Sequence, residues 1–396
     1  MRLIPRSDGP IAALLAASVV LLYEITSFGR PTSFDYYGRL ARAFLDGRWW
    51  LTDAPAHLVE LVPCGTERYC VAYPPMPAFI ALPFVLVFDT ATAQTLASAV
   101  VGGLAAAPTY LALRAIDAPK PVAALVTVFA MFGTTLWFTA STGDAWFYAH
   151  AVAVLFTSLA VLGALRGWPA WSIGALIGTA ALARLPVALA LLPLALIVRQ
   201  RRGDPLPRAL LLAAVGILPF IALEVGYDVA RWGVPAEAGY AYLTSTDNPV
   251  VPYGLFSVRY LPDHLFAIFA RPPDIGDPPF LLRPSRWGLS LILLSPVFLF
   301  LVPGAARLRA HPALGALFIA GALALLPDVL HGGVGARQLG YRFSLDAQPF
   351  VLPLIAVGAA WDREWGRPSR ALVVSVVASV LVNAYAIAAI VSVGYA

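Results

Sequence analysis

The chain has 396 residues, of which 60% are hydrophobic and 12% are charged, and its formal net charge is +5. A soluble domain is about half apolar and about a quarter charged, so this composition excludes a water-soluble globular protein. The basic residues are almost all arginine, with Lys120 the only lysine, a balance that does not indicate nucleic-acid binding. The sequence therefore predicts an all-α polytopic membrane protein.

Apolar stretches long enough to cross a bilayer, about 20 residues each, recur along the chain. The first follows Arg2 and Arg6 as a signal peptide would, but Glu24 and bulky residues stand where a cleavage site needs small ones, so we interpret it as a retained span. Because Arg and Lys collect on the cytoplasmic side, the N-terminus is predicted inside and the C-terminus outside. We expect about eleven spans, near residues 10–28, 91–114, 121–140, 147–166, 169–183, 185–199, 209–230, 287–303, 313–328, 347–361 and 371–395.

One apolar segment, 76–88, is too short to span, is bracketed by prolines and is followed by Asp89. If it crossed the bilayer, Arg114 and Lys120 would face outside, so we place it flat at the outer interface. A second amphipathic segment, 36–45, has apolar residues at helical spacing.

We therefore predict a single membrane domain over residues 1–396. Its first extracytoplasmic loop, 29–90, carries two interfacial helices. A second large extracytoplasmic loop covers 231–286, and a third polar outside segment runs from 330 to 348.

The two cysteines, Cys64 and Cys70, both lie in the first outside loop. A pair confined to an oxidising face favours a disulfide that closes a small hairpin. Two free thiols are the alternative. A metal pair is less favoured, since no second Cys or His pair accompanies them.

Several side chains in the outside segments are candidates for chemistry. Asp35 begins the amphipathic segment and is either an N-cap or a general base. Asp144 precedes the next span and either caps it or lines the same cavity. His57 and Glu60 are weak candidates for holding a divalent ion, whereas His150 is better interpreted as a satisfied core histidine than as a metal ligand.

Three arginines are candidates for binding an anion. Arg184 interrupts an otherwise apolar hairpin, and an ionisable residue there is costly enough to indicate function, although it could also snorkel or pair with a carboxylate. Arg337 and Arg342 lie in a glycine-rich loop and could grip a phosphate bidentately. The alternative is an ordinary polar turn whose arginines pair with Asp346 or with lipid headgroups.

Together these features resemble the GT-C membrane glycosyltransferases, the superfamily that includes protein O-mannosyltransferases and lipid A aminoarabinose transferases. The architecture matches over nearly the whole chain, while the motifs are short and degenerate. The segments that carry the resemblance are Phe34-Asp35-Tyr36-Tyr37, Leu45-Asp46-Gly47, Tyr73-Pro74-Pro75-Met76-Pro77, Ala181-Leu182-Ala183-Arg184-Leu185-Pro186, residues 227–240, and Gly340-Tyr341-Arg342-Phe343 through to Pro349.

The resemblance implies a sugar donor linked to polyprenyl phosphate and an acceptor hydroxyl on a lipid, a glycan or a protein. Transfer would invert the anomeric carbon at the outer, periplasmic face of a prokaryotic inner membrane. A divalent metal ion is left open, because members of the superfamily differ in this respect. The site residues that it implies are Asp35 as general base, Arg184, Arg337 and Arg342 at the donor phosphate, and Asp144, Tyr36 and Tyr341 as substrate-positioning groups.

Two alternatives come from other classes. A lipid or small-molecule transporter or flippase would also need many spans and a cavity arginine, but usually shows acid or base pairs deep within helices and repeated halves. No paired halves are visible in the sequence. A noncatalytic envelope assembly protein is the second alternative, and it predicts no dependence on Asp35.

Overall fold

The computed structural model describes residues 7–27, 29–236, 238–243, 251–359 and 366–395, so Arg2 and Arg6 lie outside the described residues. In chain order, the first half contains α1 (Asp8–Thr26), α2 (Tyr36–Leu45), β1 (Leu61–Gly65), β2 (Arg68–Val71), α3 (Met76–Val85), α4 (Thr90–Leu104), α5 (Ala106–Ala115), α6 (Lys120–Phe132), α7 (Leu136–Thr142), α8 (Ala145–Arg166) and α9 (Ala170–Ala181). The second half contains α10 (Leu191–Arg202), α11 (Leu206–Trp232), α12 (Ala238–Leu243), α13 (Leu261–Phe269), β3 (Asp274–Ile275), β4 (Leu282–Arg283), α14 (Leu291–Leu294), α15 (Leu301–Ala305), α16 (Pro312–Leu330), α17 (Ser344–Gly358) and α18 (Arg370–Val393). Short 3-10 helices cover Leu185–Ala190, Val258–Tyr260, Pro296–Phe300 and Leu308–Ala310.

Six helical segments of the described chain are long and apolar enough to cross a membrane: α1, the continuous pair α4 and α5, α8, α11, α16 and α18. The pair α6 and α7, bent by 52°, could form a seventh span. Other predicted spans fall on shorter helices, including α9 and α17. The protein is an integral membrane protein of helical class, while the count of about eleven spans stays a prediction.

Residues 29–90, which were predicted to form the first outside loop, contain the two helices α2 and α3; their position outside the membrane stays a prediction. On α2 the apolar residues Tyr36, Tyr37 and Leu40 are buried, whereas Arg42 is exposed, which is the one-sided pattern of an amphipathic helix. Gly38 faces the start of α4, where an added Cβ would lie 2.1 Å from the carbonyl oxygen of Thr90. The helix therefore lies directly against the bundle.

Between α2 and α3, the strands β1 and β2 form an antiparallel hairpin. A disulfide joins Cys64 to Cys70, with an S–S distance of 2.04 Å. At the end of this loop the backbone N–H of Met76 donates to the carbonyl of Leu182, 3.0 Å away. This bond attaches the start of α3 to the turn that carries Arg184.

The later outside segments pack on one another. The segment before α14 pairs with the loop that precedes α17, because the backbone N–H of Leu289 donates to the carbonyl of Leu339 at 3.0 Å. Phe256 and His331 form an antiparallel bridge. Residues that are far apart in the chain are thus brought to one end of the bundle.

Candidate active site

One wall of the candidate site comes from the first outside loop and the start of α8. The indole Nε1 of Trp146 donates to Glu60 Oε2 and to the hydroxyl of Tyr73, both at 2.8 Å. The backbone N–H of Glu60 donates to the hydroxyl of Tyr36 at 3.1 Å. Burial raises the pKa of Glu60, against the opposing effect of the Trp146 hydrogen bond. These contacts hold a partly desolvated carboxylate among aromatic rings.

Arg342 lies in the loop before α17 and is only 8% exposed. Its Nη1 donates to the carbonyl of Ala336 at 3.1 Å, whereas its Nε is buried without a partner among the described residues. Phe147 and Phe343 place their ring centres 5.5 and 5.2 Å from the guanidinium carbon. Burial, followed by the nearby charge of Arg184, lowers the pKa of Arg342 to about 10. Within the described chain, no carboxylate lies within 4.0 Å of this cation.

Arg337 and Asp144 lie beside Arg342. Arg337 has a left-handed backbone, with φ of 53°, and its guanidinium carbon is 5.1 Å from the ring centre of Phe34. Asp144 stands at the N-cap position of α8, but its side chain makes no capping bond to the helix and instead accepts a 2.6 Å hydrogen bond from the hydroxyl of Thr32. Burial raises the pKa of Asp144, while Thr32, Arg337 and Arg342 lower it.

Arg184 is the centre of a buried ionic cluster. Its Nε and Nη2 donate to Asp346 Oδ2 at 2.9 and 2.7 Å, and Nη2 also donates to Asp328 Oδ1 at 2.7 Å. The other oxygen of Asp346 lies 2.9 Å from Nδ1 of His150. Asp346 therefore partners Arg184 and His150. It does not pair with Arg337 or Arg342, so of the polar-turn alternative only pairing with lipid headgroups remains. The cluster reaches Arg342 through Phe343, whose ring centre is 5.3 Å from the guanidinium carbon of Arg184.

Asp35 is buried immediately before α2, at 3% exposure. Its side chain makes no capping bond to the helix, so the N-cap interpretation of this side chain is wrong. Instead Oδ1 accepts from Arg39 Nε at 2.8 Å and Oδ2 accepts from the Thr90 hydroxyl at 2.5 Å. Arg39 also pairs with Asp53 at 2.8 Å. The carboxylate is thus held in one orientation by two donors.

The residue before Asp35 connects it to the rest of the site. The ring of Phe34 lies 5.0 Å from that of Trp146 and beneath the guanidinium of Arg337. Tyr36, on the other side of Asp35, contacts Glu60 through its hydroxyl. Both sequence neighbours of Asp35 therefore belong to the wall that faces the arginines.

The hydroxyl of Tyr341 lies 2.8 Å from Nδ1 of His264, and its ring contacts Phe343 at 5.6 Å. Sequence reasoning did not find His264, Trp146 or Tyr73 as members of this region. Tyr73 begins one of the segments that carry the family resemblance, but neither that motif nor the aromatic residues of the loops indicate which rings meet.

The metal interpretation of His57 and Glu60 stays a prediction. His57 is exposed, and the Glu60 carboxylate accepts from Trp146. In the ranges that the structure describes, no three His, Cys, Asp or Glu side chains are grouped closely enough to hold a metal ion. His57 and Glu60 therefore have no third such side chain near enough, among the described residues, to complete a metal centre.

Comparison with known proteins is informative at the level of structure. No protein-family model matches the chain, and no curated protein matches its sequence. The fold is similar to that of the crystal structure of ArnT from Cupriavidus metallidurans bound to undecaprenyl phosphate, with a TM-score of 0.53, 16% identity, and coverage of 89% of this chain and 61% of that one. The apo state of the same protein matches with a TM-score of 0.45, 16% identity, and coverage of 89% and 60%.

The chain therefore spans about three fifths of the length of ArnT. At this level of identity the likeness concerns the fold alone. The ArnT-like fold agrees with the helical membrane architecture expected from the sequence.

Proposed function

We propose that this protein is a membrane glycosyltransferase that moves a sugar from a polyprenyl-phosphate donor to an acceptor hydroxyl at the extracytoplasmic face. The observation that carries the proposal is the buried guanidinium of Arg342, which has no carboxylate within 4.0 Å among the described residues and an unpartnered Nε. Burying a cation without a counter-charge is costly. A bound phosphate would supply that charge.

The donor phosphate is proposed to lie between Arg342 and Arg337. A guanidinium matches phosphate oxygens in a planar, two-pronged geometry, and such hydrogen bonds are strong in a poorly hydrated site. Arg184 is already paired with Asp346 and Asp328. We therefore propose that it does not bind the phosphate directly but stabilises, from its position beside Arg342, the negative charge that develops on the phosphate. Undecaprenyl phosphate, which is bound in the ArnT structure, is the lipid phosphate to test first.

Asp35 is proposed as the general base. It would take the proton from the acceptor hydroxyl as that oxygen attacks the anomeric carbon, while the bond from the sugar to the phosphate oxygen breaks. The electron pair leaves on the lipid phosphate, where Arg342 and Arg337 stabilise it. A single displacement inverts the anomeric carbon. Arg39 and Thr90 orient the base, and we assign Asp144, Tyr36 and Tyr341 to holding the substrates.

The test is transfer from radiolabelled undecaprenyl-phosphate sugars by the purified protein in nanodiscs, with water or a membrane extract as acceptor. We expect turnover by the wild type and a loss of about 100-fold or more in Asp35→Asn, because positioned bases contribute roughly 10²–10⁴-fold. Asp277→Asn, which changes an exposed carboxylate of the second outside loop, is the matched control and should retain activity.

Two results would refute this assignment. The first is that folded, monodisperse protein turns over none of the undecaprenyl-phosphate sugars, which would favour the transporter alternative. The other is turnover that persists in Asp35→Asn, which would leave the transferase in place and remove its base. The fold comparison does not favour the transporter.

A further inference from the structure

A cleft of about 260 Å³ opens between α13, the segment before α14 and the loop after α16. It lies beside the ionic cluster centred on Arg184. This outer cleft is lined by polar and aromatic side chains, chiefly Tyr260, Asp263, His264, Arg271, Trp287 and His331. Its volume lies just below the roughly 300–1,000 Å³ of sites for drug-sized ligands. The cleft therefore fits a compact polar ligand.

The two charged side chains of the outer cleft can contact such a ligand, although Arg271 Nη1 also donates to the carbonyl of Trp287 at 3.4 Å and its guanidinium carbon lies 5.5 Å from the ring centre of Phe266. Asp263 and Arg271 form no ion pair within 4.0 Å with any described residue, and together they contribute one negative and one positive charge. Trp287 is 46% exposed, and the guanidinium carbon of Arg286 lies 5.3 Å from its ring centre. A partly exposed indole with separate donors and acceptors around it suits a ligand with several hydroxyl groups.

His331 adds one further hydrogen-bonding group. Burial lowers the pKa of His331 to about 4, so the imidazole is neutral near pH 7, with one nitrogen that donates and one that accepts. Its Nδ1 is occupied within the loop, 3.1 Å from the backbone nitrogen and 3.2 Å from the carbonyl oxygen of Gly333. The other nitrogen, Nε2, can therefore donate to or accept from a ligand hydroxyl, depending on the tautomer.

The outer cleft also reaches the candidate centre. The ring of His331 lies 6.2 Å from that of Phe343, which in turn lies 5.3 Å from the guanidinium of Arg184. His264 forms part of the lining and meets the hydroxyl of Tyr341 at 2.8 Å. Phe343 and Tyr341 are thus shared between the surroundings of the cleft and those of the arginines.

We propose that the outer cleft binds a carbohydrate and that this carbohydrate is the acceptor of the transferred sugar. The acceptor role rests on the glycosyltransferase function proposed above, whereas carbohydrate binding by the cleft does not. The carbohydrate could be a free glycan or the headgroup of a glycolipid. On α13, which borders the cleft, Phe266 and Phe269 are 49% and 61% exposed and would contact the lipid tails in the second case.

Binding is tested first without any donor, by applying the purified full chain in nanodiscs to an array of oligosaccharides. We expect retention on a subset of the glycans and at least a ten-fold weaker signal for Trp287→Ala and Asp263→Asn. Trp49→Ala is the matched control, because Trp49 has the same 46% exposure in a different loop. No retention on any glycan, or equal loss in the control, would overturn the proposal.

The glycans that bind are then presented in two forms, free in solution and as glycolipid headgroups in phosphatidylglycerol nanodiscs. With the acceptor so identified, Trp287→Ala should raise the KM for the acceptor about ten-fold and leave the KM for the donor unchanged. An equal rise in both constants would overturn the acceptor role. If array binding depends on Trp287 but no donor supports turnover, the glycosyltransferase proposal fails and the carbohydrate site stands.

Discussion

At the scale of single residues, two arginines of the site differ in how their charge is balanced. Arg184 is paired with Asp346 and Asp328, whereas Arg342 has neither an ion pair among the described residues nor a partner for its Nε. A buried charge without a partner tends to lose its proton or to acquire a counter-ion. The unpaired arginine is therefore where an anionic substrate is expected to bind.

Replacing Arg342 by Gln should weaken binding of undecaprenyl phosphate by at least ten-fold, because it removes a buried charge-assisted hydrogen bond worth about 1.5–3 kcal/mol. Binding is measured with the lipid phosphate in nanodiscs. Arg201→Gln, on the exposed last turn of α10, is the control and should bind normally. Normal binding by Arg342→Gln would place the phosphate elsewhere.

The same residue predicts a pH dependence. Burial and Arg184 lower the pKa of Arg342 to about 10, so the free site keeps its positive charge below pH 10 and loses it as the pH rises through 10. Affinity for undecaprenyl phosphate should therefore change little between pH 7 and 9 and fall above 10. Tryptophan fluorescence at each pH shows that the protein is folded. If the affinity already begins to fall at a pH well below 9, the titration of Arg342 is not its cause.

Removing Arg184 should destabilise the fold. Arg184→Met leaves Asp346 and Asp328 buried without their cation, and breaking a buried pair from one side costs about 3–5 kcal/mol. We expect a lower melting temperature in detergent, with partial recovery in the double variant that adds Asp346→Asn. If the single variant melts like the wild type, the ion pairs contribute little to stability.

At the scale of elements, the position of Asp35 depends on close packing of α2 against α4. Gly38 leaves no room for a methyl group, because its Cβ would meet the backbone of Thr90 at 2.1 Å. The hydroxyl of that same Thr90 donates to Asp35. Any shift of α2 away from α4 therefore moves the proposed base from its partner.

Gly38→Ala is expected to destabilise the protein by about 1–3 kcal/mol, as overpacking does, and to reduce turnover more than substrate binding. The control is Gly226→Ala on α11, where an added Cβ meets nothing within 4 Å. The two variants are compared by melting temperature and by kcat and KM. Equal behaviour of the two would show that the α2–α4 contact does not position Asp35.

At the scale of the whole molecule, small residues let long helices approach closely. Gly174 of α9 and Gly216 of α11 each face the backbone of the other helix. A Cβ added to Gly174 would lie 2.1 Å from the carbonyl oxygen of Ala213, and one added to Gly216 would lie 1.9 Å from that of Trp171. Such contacts are typical of helix pairs in membranes. The bundle that results holds the turn of Arg184 at the end where the outside loops meet.

The predicted orientation is tested with single thiols, since both native cysteines are in the disulfide and none is free among the described residues. Val59→Cys, at a 73% exposed position of the first loop, should react with a membrane-impermeant maleimide in intact spheroplasts. Arg201→Cys should react only after permeabilisation. The opposite pattern would invert the topology and put the site in the cytoplasm.

The sequence by itself determined the helical membrane class and the two helices α2 and α3. These follow from local properties: apolar length, charge placement and short motifs are all read along the chain. It also identified Asp35, Arg184 and Arg342 as candidates, because a charged residue beside an apolar span is conspicuous on its own.

Only the tertiary structure decided which of these charges are paired. The partners of Arg184 are 162 and 144 positions away in the chain, and Thr90 lies 55 positions from Asp35. No spacing rule predicts contacts over such separations, because they depend on how the helices pack. For the same physical reason the contact between Glu60 and Trp146 and the outer cleft became visible only in the tertiary structure.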